Sequence, residues 1–521
     1  ETFLNVHGLD NIKRSIKDQD DIVFASGHEH ALEYFYEDDH HFVVSGAGSK
    51  HSYLKKGYDL QFGYEKEGFS KLYYYQDGSV WLEFWAAPRG SDQGTLIFRK
   101  MLKDKDLQAP VDPEDSFETI WEDLADSVGY IAAPNYEASK SKRFWLGRNY
   151  RDAWTAGLQL PVLNMDEKLG GLRPIKKGGG LQSKSLRLEA ADGKQYVLRS
   201  IYKDASLILP EFARNTVIDT IFQDQMSMDH PYGAMIIGPL ADAVGVFHAN
   251  PQYYYVPAQP RLGDFNALFA HEAYLFEERP AGNREDVASF GRPEDIDSYR
   301  KMLKNIRDEH DHLINQDQTL YSRLFDIYIG DWDRHDDQWR WAVFEKDDKK
   351  FYSPIPRDRD HAFLSFRGIL PYIASRKWAA RQLHSFNHDI HDIRGLSFNA
   401  RHLDRAYLNE QDLSDWLRIA NDMKTRLTDK VIEEAVRQWP DTLYTLNGKE
   451  IIAKLKSRRD KLPEFAQELY EFVAKEVDVR GTDKRERFEV TRLPGGKTQV
   501  IVLAVNKERE IKDTLYQRLF D

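Results

Sequence analysis

The sequence contains no cysteine, which excludes disulfide bonds, thiolate catalysis and zinc sites built from cysteine. It also lacks internal repeats, low-complexity segments and any apolar run near the roughly 18–20 residues of a membrane helix. The chain opens on Glu1 and a polar stretch, so no signal peptide is predicted. Because the initiator methionine is absent, we expect a processed or truncated product.

The 521 residues are too many for one hydrophobic core, so we expect about two to four domains. Apolar residues make up 41% and charged residues 30% of the chain, which are values of globular proteins. The formal net charge of -12 argues against a broad nucleic-acid surface, and no nucleic-acid partner is expected. Aromatic residues, at 13%, are typical of β-rich packing and by themselves select no function.

The hydrophobic pattern predicts a β-rich beginning and a longer mixed region after it. Strands are expected near residues 21–26, 41–46, 59–64, 69–75 and 80–85. The acidic, proline-containing stretch 103–135 is expected to be a connector with a helix near residues 118–128. Beyond it the pattern predicts strands near 172–177, 185–189, 195–201, 273–276, 339–344 and 349–353, with helices near 209–228 and 299–329. Helices follow from about 403 to 477, and strands near 487–491 and 499–505 end the chain.

Two acidic clusters flank the predicted hairpin at residues 339–353. Asp333, His335 and Gln338 follow an apolar segment, and Asp358 and Asp360 follow the hairpin. Phosphoryl transfer with Mg²⁺ uses a carboxylate that receives the proton of the acceptor, and an amide and a carboxylate that hold the metal. The alternative interpretation is a buried ion-pair network with the neighbouring arginines.

The segment Gly330-x-x-Asp333-Arg334-His335-x-x-Gln338 resembles the catalytic loop of atypical kinases of the HipA-like, CotH-like and secretory-pathway types. The segment 355–363 is similar to the CotH-type sequence Ile-Pro-Trp-Asp-x-Asp-Gly-x-Phe. The resemblance implies that Asp333 is the base or the carboxylate that orients the acceptor, with His335 beside it. It also implies that Gln338 takes the place of a metal-binding Asn, and that Asp358 or Asp360 binds Mg²⁺ or Mn²⁺.

The same resemblance assigns roles to residues of the preceding strands. It implies phosphate contacts from Gly178, Gly179, Gly180 and Arg199, a carboxylate partner for Arg199 at Glu211 or Asp219, and a nucleotide-binding hinge around Glu278. Three departures accompany it: Arg199 replaces a lysine, Gln338 replaces an asparagine, and three consecutive glycines are not the G-x-G-x-x-G pattern. These departures suit either a divergent kinase or a pseudokinase.

A second motif stands near the beginning of the chain. Gly27-His28-Glu29-His30 resembles the last metal motif of calcineurin-like metallophosphoesterases, and the strand that follows it is also similar. The resemblance implies that His28 and His30 are ligands of a di-metal site containing Mn, Fe or Zn. The earlier motifs of that family are missing, so we expect only the C-terminal part of such a domain.

Together these segments resemble Gram-negative outer-membrane proteins that join a metallophosphoesterase, a kinase-like region and a BamA-like barrel. This resemblance implies a periplasmic or outer-membrane-associated fragment, with the barrel in cis and with a nucleotide, a phosphorylated small molecule or other proteins as partners. The predicted fold is multidomain α+β: the C-terminal part of a phosphoesterase α/β sandwich, a two-lobed atypical kinase fold with a helical lobe, and a small terminal β segment. The expected bounds are 1–102, a connector at 103–135, 136–280, 281–477 and 478–521.

Three functions remain open at the level of sequence. The first is phosphotransfer from a Mg²⁺-bound nucleotide by the kinase-like region. The second is an inactive kinase-like module that binds or assembles within an outer-membrane protein. The third is a metal-dependent phosphoesterase in a longer chain. Whether the chain is an enzyme therefore stays undecided.

Overall fold

The computed structural model describes residues 22–27, 30–37, 40–48, 60–75, 78–87, 94–103, 126–178, 184–203, 216–374 and 381–520. The chain divides into two units, residues 1–108 and 109–521, and this division falls inside the predicted connector. Both α-helices and β-sheets are present, as the predicted α+β class requires. Within the described ranges, no helix is both long and apolar enough to cross a membrane.

The described part of the first unit consists of two β-sheets that share a hydrophobic core. Its strands are β1 (Val23–Ser26), β2 (Leu32–Glu37), β3 (His40–Ser45), β4 (Leu60–Tyr64), β5 (Gly68–Tyr74), β6 (Val80–Ala86) and β7 (Thr95–Lys103). One sheet has the order β1-β3-β2-β4, with β1 and β3 parallel, and the other has the order β5-β6-β7. Leu32, Tyr34 and Val43 of the first sheet belong to one buried cluster with Leu82 and Phe84 of the second.

The five strands predicted for this unit are confirmed, and two further strands were missed. Leu32–Glu37 and Thr95–Lys103 form β2 and β7, and turn-forming residues flank both of them, Asp38 and Asp39 after the first and Gly94 before the second. The predicted helix near 118–128 is wrong at its end, because Val128 lies in the strand Ser127–Ile131. Backbone pairing with Gly157–Pro161 holds this segment extended.

The described part of the second unit contains three larger sheets and one two-stranded sheet. The strands are β8 (Ser127–Ile131), β9 (Gly157–Pro161), β10 (Leu172–Gly178), β11 (Ser185–Ala190), β12 (Gln195–Ser200), β13 (Gln252–Val256), β14 (Glu272–Glu278), β15 (Asp295–Ser298), β16 (His312–Ile314), β17 (Trp339–Lys346), β18 (Lys349–Pro356), β19 (Glu486–Arg492), β20 (Thr498–Val505) and β21 (Ile511–Phe520). All the strands predicted here are confirmed, whereas β8, β9, β13, β15, β16 and the third strand of the terminal segment, β21, were not predicted.

We call β10–β14 the five-stranded sheet; it is antiparallel in the order β10-β11-β12-β14-β13. Leu186, Leu188 and Leu198 alternate with polar residues along β11 and β12 and are fully buried on one face. Since successive side chains of a strand point to opposite faces, the polar residues between them lie on the other face. Arg199 of β12 lies on that other face.

The helices of the second unit follow and separate these strands. They are α1 (Lys140–Leu146), α2 (Arg151–Trp154), α3 (Val217–Gln225), α4 (Ile237–Val244), α5 (Asn266–Phe269), α6 (Tyr299–Asp308), α7 (Gln316–Ile329), α8 (Ile369–Ala374), α9 (Ile393–Leu396), α10 (Arg401–Tyr407), α11 (Leu413–Arg426), α12 (Asp429–Val436), α13 (Asp441–Leu443), α14 (Lys449–Asp460) and α15 (Leu462–Val473). The predicted helix at 299–329 is interrupted, because His312–Ile314 pairs as a strand with β18.

Helix α7 is the centre of the helical part of the unit. Every residue from Leu320 to Ile329 except Tyr321 is buried, so the helix is enclosed by its neighbours. Asn315 caps its beginning by accepting a hydrogen bond from the N–H of Gln318 at 3.1 Å. Gly330 ends it in the left-handed conformation, with φ of 76°, and its N–H bonds back to the carbonyls of Asp326 and Ile327.

A buried ionic network links this helix to two other segments. Arg323 donates to Asp404 of α10 at 2.6 Å and to Asp326 at 2.9 Å. Asp326 accepts a further bond from Arg359 at 3.1 Å. Arg323, Asp326 and Asp404 are almost fully buried, so each charge depends on its partners for compensation. The network therefore fixes Arg359 and its neighbours relative to α7.

We predict that Arg323→Met destabilises the second unit by about 3–5 kcal/mol, because the substitution leaves Asp326 and Asp404 buried without a common partner. Denaturant unfolding followed by tryptophan fluorescence measures the loss. Arg418→Met is the matched control, since its ion pair with Asp317 is half exposed and should contribute below about 1 kcal/mol. Equal losses for the two variants would contradict the assigned role of the network.

Candidate active site

The loop after α7, residues 331–338, carries the first group of predicted catalytic residues; we call it the motif loop. Asp333 accepts a hydrogen bond from Asn399 Nδ2 at 3.0 Å on Oδ1. Its Oδ2 lies 3.9 Å from His335 Nε2, and Asp333 is partly exposed. The structure thus places Asp333 and His335 side by side, and Asn399 orients the carboxylate from a distant part of the sequence.

Gln338 ends the motif loop at the start of β17. Its Nε2 is 3.4 Å from His335 Nε2, and its Oε1 is buried without a hydrogen-bond partner within the described part of the chain. The backbone carbonyl of Gln338 accepts the N–H of Arg357 at 2.9 Å. Because β17 and β18 pair Trp339 with Pro356, the hairpin returns the chain to the motif loop.

The acidic segment, residues 357–361, follows this hairpin and is tied to the motif loop by Arg334. The buried Arg334 guanidinium pairs with Asp331 at 2.7 Å. It also donates to the backbone carbonyl of Arg357 at 2.7 Å and to that of Asp358 at 2.8 Å. Asp358 takes a left-handed conformation, with φ of 55°, at the point where the chain turns. The two predicted clusters therefore form one site.

Two ion pairs connect the acidic segment to the five-stranded sheet. Arg199 of β12 pairs with Asp358 and, at 2.8 Å, with Glu277 of β14. Lys203, just past β12, pairs with Asp360 at 2.5 Å. Burial alone would lower the pKa of each cation, but the facing carboxylates raise it, so both stay charged. Burial alone would raise the pKa of Asp360. Lys203 and the neighbouring cations have the larger, opposite effect, so the pKa of Asp360 lies below its usual range.

A third charge pair lies beside Lys203. His361 Nδ1 is 3.0 Å from Asp229 Oδ1, and Lys203 Nζ is 3.9 Å from Asp229 Oδ2. Burial would lower the pKa of His361, but the carboxylate of Asp229 raises it to about 9. Near neutral pH His361 is therefore protonated, and it contributes a positive charge next to Asp360.

These residues border a cleft of about 880 Å³, its open mouth included. One wall contains Arg199, Lys203, Leu275 and Glu277, and the opposite wall contains residues 356–360. The apolar part of the lining includes Trp154, Met226, Ala234, Ile237 and Tyr253. The volume is in the range of small-molecule and cofactor sites, which run to about 1,000 Å³.

Several residues of the cleft were missed by the sequence analysis. They are Lys203, Asp229, Arg357, His361 and Asn399. Lys203 follows Arg199 by four residues, so its position just past a predicted strand was a usable signal. Asp229 and Asn399 lie in segments without a recognisable motif, and only the fold brings them to the site.

Other predicted residues lie elsewhere or outside the described residues. Gly178 ends β10 opposite Ser185, while Gly179, Gly180, Glu211 and His28 are outside the described residues. Glu278 pairs with Arg284 at 2.8 Å, and burial raises its pKa. Among the described residues, Glu277 is a carboxylate that contacts Arg199 from its own side of the cleft, and the partner role expected of Glu211 or Asp219 stays a prediction. The roles assigned to Gly178 and Glu278 stay predictions.

The oxygen donors of the site suit a hard divalent cation. Asp358 and Asp360 supply carboxylates, and the buried Oε1 of Gln338, which has no hydrogen-bond partner among the described residues, faces no competing donor. Mg²⁺ needs only one or two carboxylates beside phosphates and water. Among the described residues no three His, Cys, Asp or Glu side chains are grouped as a metal centre. The predicted di-metal site at His28 and His30 stays a prediction, because His28 is not among those residues.

The sequence matches no protein-family model, and a comparison with curated proteins finds no match either. The solved structures that are similar to the chain include the following two. One is the Helicobacter pylori proinflammatory kinase CtkA, with 10% identity, 56% of this chain and 95% of that chain covered, and a TM-score of 0.27. The other is the Shewanella oneidensis HipA, HipB and operator DNA complex, with 14% identity, 62% and 78% covered, and a TM-score of 0.26. The likeness is coarse, and neither of these two structures is of a phosphoesterase or a barrel protein.

The charge pair of His361 predicts a pH dependence of stability. The pKa in the folded state, about 9, lies above the unfolded value near 6.5, so the stabilisation is complete below about pH 6.5 and is lost as pH rises through 9. His361→Asn keeps a donor near Asp229 but does not titrate, so it should remove this loss. Denaturation midpoints of the wild type and the variant at pH 6, 7.5 and 9.5 measure this loss of stability. The exposed His388→Asn is the control; an unchanged profile for His361→Asn would refute the assignment.

Proposed function

We propose that the cleft binds a nucleoside triphosphate with Mg²⁺ or Mn²⁺ and that the second unit transfers its terminal phosphoryl group to an acceptor hydroxyl. One observation carries this proposal: Arg199 pairs with Asp358 and Lys203 pairs with Asp360 across the cleft. Cations of the five-stranded sheet and carboxylates of the acidic segment thus meet next to the motif loop. Kinase-type phosphoryl transfer needs this combination of parts.

A metal-bound nucleotide can replace these ion pairs without leaving a charge uncompensated. Its phosphates offer new partners to Arg199 and Lys203, and its metal offers a new partner to Asp358 and Asp360. Unpaired buried charges are costly, so an anion or a cation that entered alone would leave one half of each pair without a partner. The cleft therefore favours a ligand that brings both charges together.

The motif loop supplies the group that handles the proton. Asp333 is partly exposed and is held by Asn399 on one oxygen, so its other oxygen is available to an acceptor hydroxyl. As the acceptor oxygen bonds to the terminal phosphorus, the bond from phosphorus to the bridging oxygen breaks and the nucleoside diphosphate leaves. The hydroxyl proton goes to Asp333. A bound Mg²⁺ would neutralise charge on the phosphates, and Asp360 and Gln338 Oε1 are the groups that would hold it.

A binding module without catalysis is the second candidate. Both carboxylates of the acidic segment already have cationic partners, and the described residues contain no group of three acidic or imidazole ligands. If these pairs persist when a nucleotide is present, the cleft binds the phosphates through the cations alone. The nucleotide would then act as a structural ligand.

We predict that ATP with Mg²⁺ stabilises the protein, by about 2.7 kcal/mol when its concentration is 100-fold above Kd. Asp360→Asn should make the stabilisation by ATP independent of metal, because a neutral amide replaces the carboxylate that would hold the cation. Asp333→Asn should retain nucleotide binding and lower phosphoryl transfer by about 10²–10⁴-fold. Thermal shift and release of labelled phosphate measure the two effects. Asp317→Asn, at a half-exposed ion pair with Arg418, is the control.

The outcomes separate the two candidates. If no nucleotide shifts the unfolding temperature with either Mg²⁺ or Mn²⁺, the phosphotransfer proposal fails. If ATP stabilises the protein and Asp333→Asn has the same low activity as the wild type, the binding module is the better description. Near-ultraviolet circular dichroism checks that each variant is folded.

A further inference from the structure

Arg187 and Arg357 are two arginines of the cleft region whose charges have no carboxylate partner of their own. Among the residues that the structure describes, neither guanidinium makes a hydrogen bond or an ion pair, and Arg199 takes both nearby carboxylates, Glu277 and Asp358. Three guanidinium groups thus share two acidic side chains. Arginine stays charged under physiological conditions, so this part of the cleft has an excess of positive charge.

The register of the five-stranded sheet places Arg187 on the face that borders the cleft. Ser185 lies opposite Arg199, and Arg187 lies opposite Val197, which in turn lies opposite Glu277. Residues directly opposite each other on neighbouring strands share a face, as do residues two apart on one strand. Because Arg199 and Glu277 line the cleft, Arg187 points to the same side.

Arg357 lies on the opposite wall and its backbone is held at both ends. Its N–H donates to the carbonyl of Gln338 at 2.9 Å, and its carbonyl accepts from Arg334 at 2.7 Å. Its side chain lines the cleft. Burial lowers the pKa of Arg357, and the positive charges of Arg199 and Arg187 lower it further, while Asp358 and Glu277 oppose them. The two unpartnered arginines are therefore near enough to repel each other.

We propose that Arg187 and Arg357 form a clamp that binds a phosphoryl oxyanion of the ligand in the cleft. Each guanidinium is a planar fork whose donors match the oxygens of a phosphate, and binding one between them would replace repulsion by charge-assisted hydrogen bonds. The oxyanion belongs either to the polyphosphate of the nucleotide or to a phosphorylated acceptor. The inference deepens the proposed function and rests on the same cleft.

Titration calorimetry with tripolyphosphate, without nucleoside or metal, tests the clamp directly. The wild-type protein should bind it, and Arg187→Gln and Arg357→Gln should each lower the affinity at least tenfold, which is about 1.4 kcal/mol. Arg357→Lys keeps the charge but loses the fork, so its affinity should lie between those of the wild type and Arg357→Gln. Arg148→Gln, at an exposed arginine, is the control and should have no effect.

Two further ligands identify the source of the oxyanion. If both glutamine variants weaken ATP as much as tripolyphosphate, the clamp holds the nucleotide. If they leave ATP unchanged but weaken glycerol 3-phosphate added with ATP, the clamp holds a phosphorylated acceptor. Either result supports the clamp. Binding of all three ligands within twofold of wild type by both variants would overturn it, as would failure of the wild type to bind any of them.

Binding of tripolyphosphate and stabilisation by ATP with metal can fail independently of each other. Arginine-dependent binding of tripolyphosphate without any stabilisation by ATP and metal would retain the clamp and exclude the nucleotide. Stabilisation by ATP and Mg²⁺ that both glutamine variants preserve, together with unchanged binding of tripolyphosphate and glycerol 3-phosphate, would retain the proposed function and exclude the clamp.

Discussion

The hydrogen bonds of Arg334 are the interaction on which the candidate site depends. One buried guanidinium holds Asp331 of the motif loop and the carbonyls of Arg357 and Asp358, two segments that the β17–β18 hairpin separates in sequence. This link adds to the bond between Arg357 N–H and the Gln338 carbonyl in fixing the loop that carries Asp333 relative to the segment that carries Asp360. Arg359 anchors the same segment to Asp326 of α7, so the site is supported from the helical interior of the unit.

Charge compensation explains why so many ionisable groups can share one cleft. Lys203 and His361 are balanced by Asp360 and Asp229, and Arg199 by Glu277 and Asp358. A group of this kind is stable only while each charge keeps a partner, which is why a ligand with both signs of charge suits it better than a simple ion. The arginines that exceed this balance then indicate where further negative charge is accepted.

Eight of the fourteen described strands of the second unit, and the two acidic clusters, could be predicted from sequence, because alternation and turn residues mark strands locally and because the motif residues lie close together in the chain. Partners that come from far away in sequence could not. Asn399 reaches Asp333, Glu277 reaches Arg199 and Asp229 reaches His361 only through tertiary packing, which leaves no periodic signal. The helix expected through Val128 failed for the same reason, since pairing with a strand about 30 residues later overrides local preference.

The left-handed backbone at Asp358 has an evolutionary consequence. At a φ of 55°, residues with branched or bulky side chains are strained, whereas glycine, asparagine and aspartate are tolerated. Glycine and asparagine can therefore keep the backbone turn at this position without keeping the carboxylate. In a lineage that abandoned the chemistry but kept the fold, this position should drift to asparagine or glycine before any other residue type, so its identity across related sequences would record which lineages still use the carboxylate.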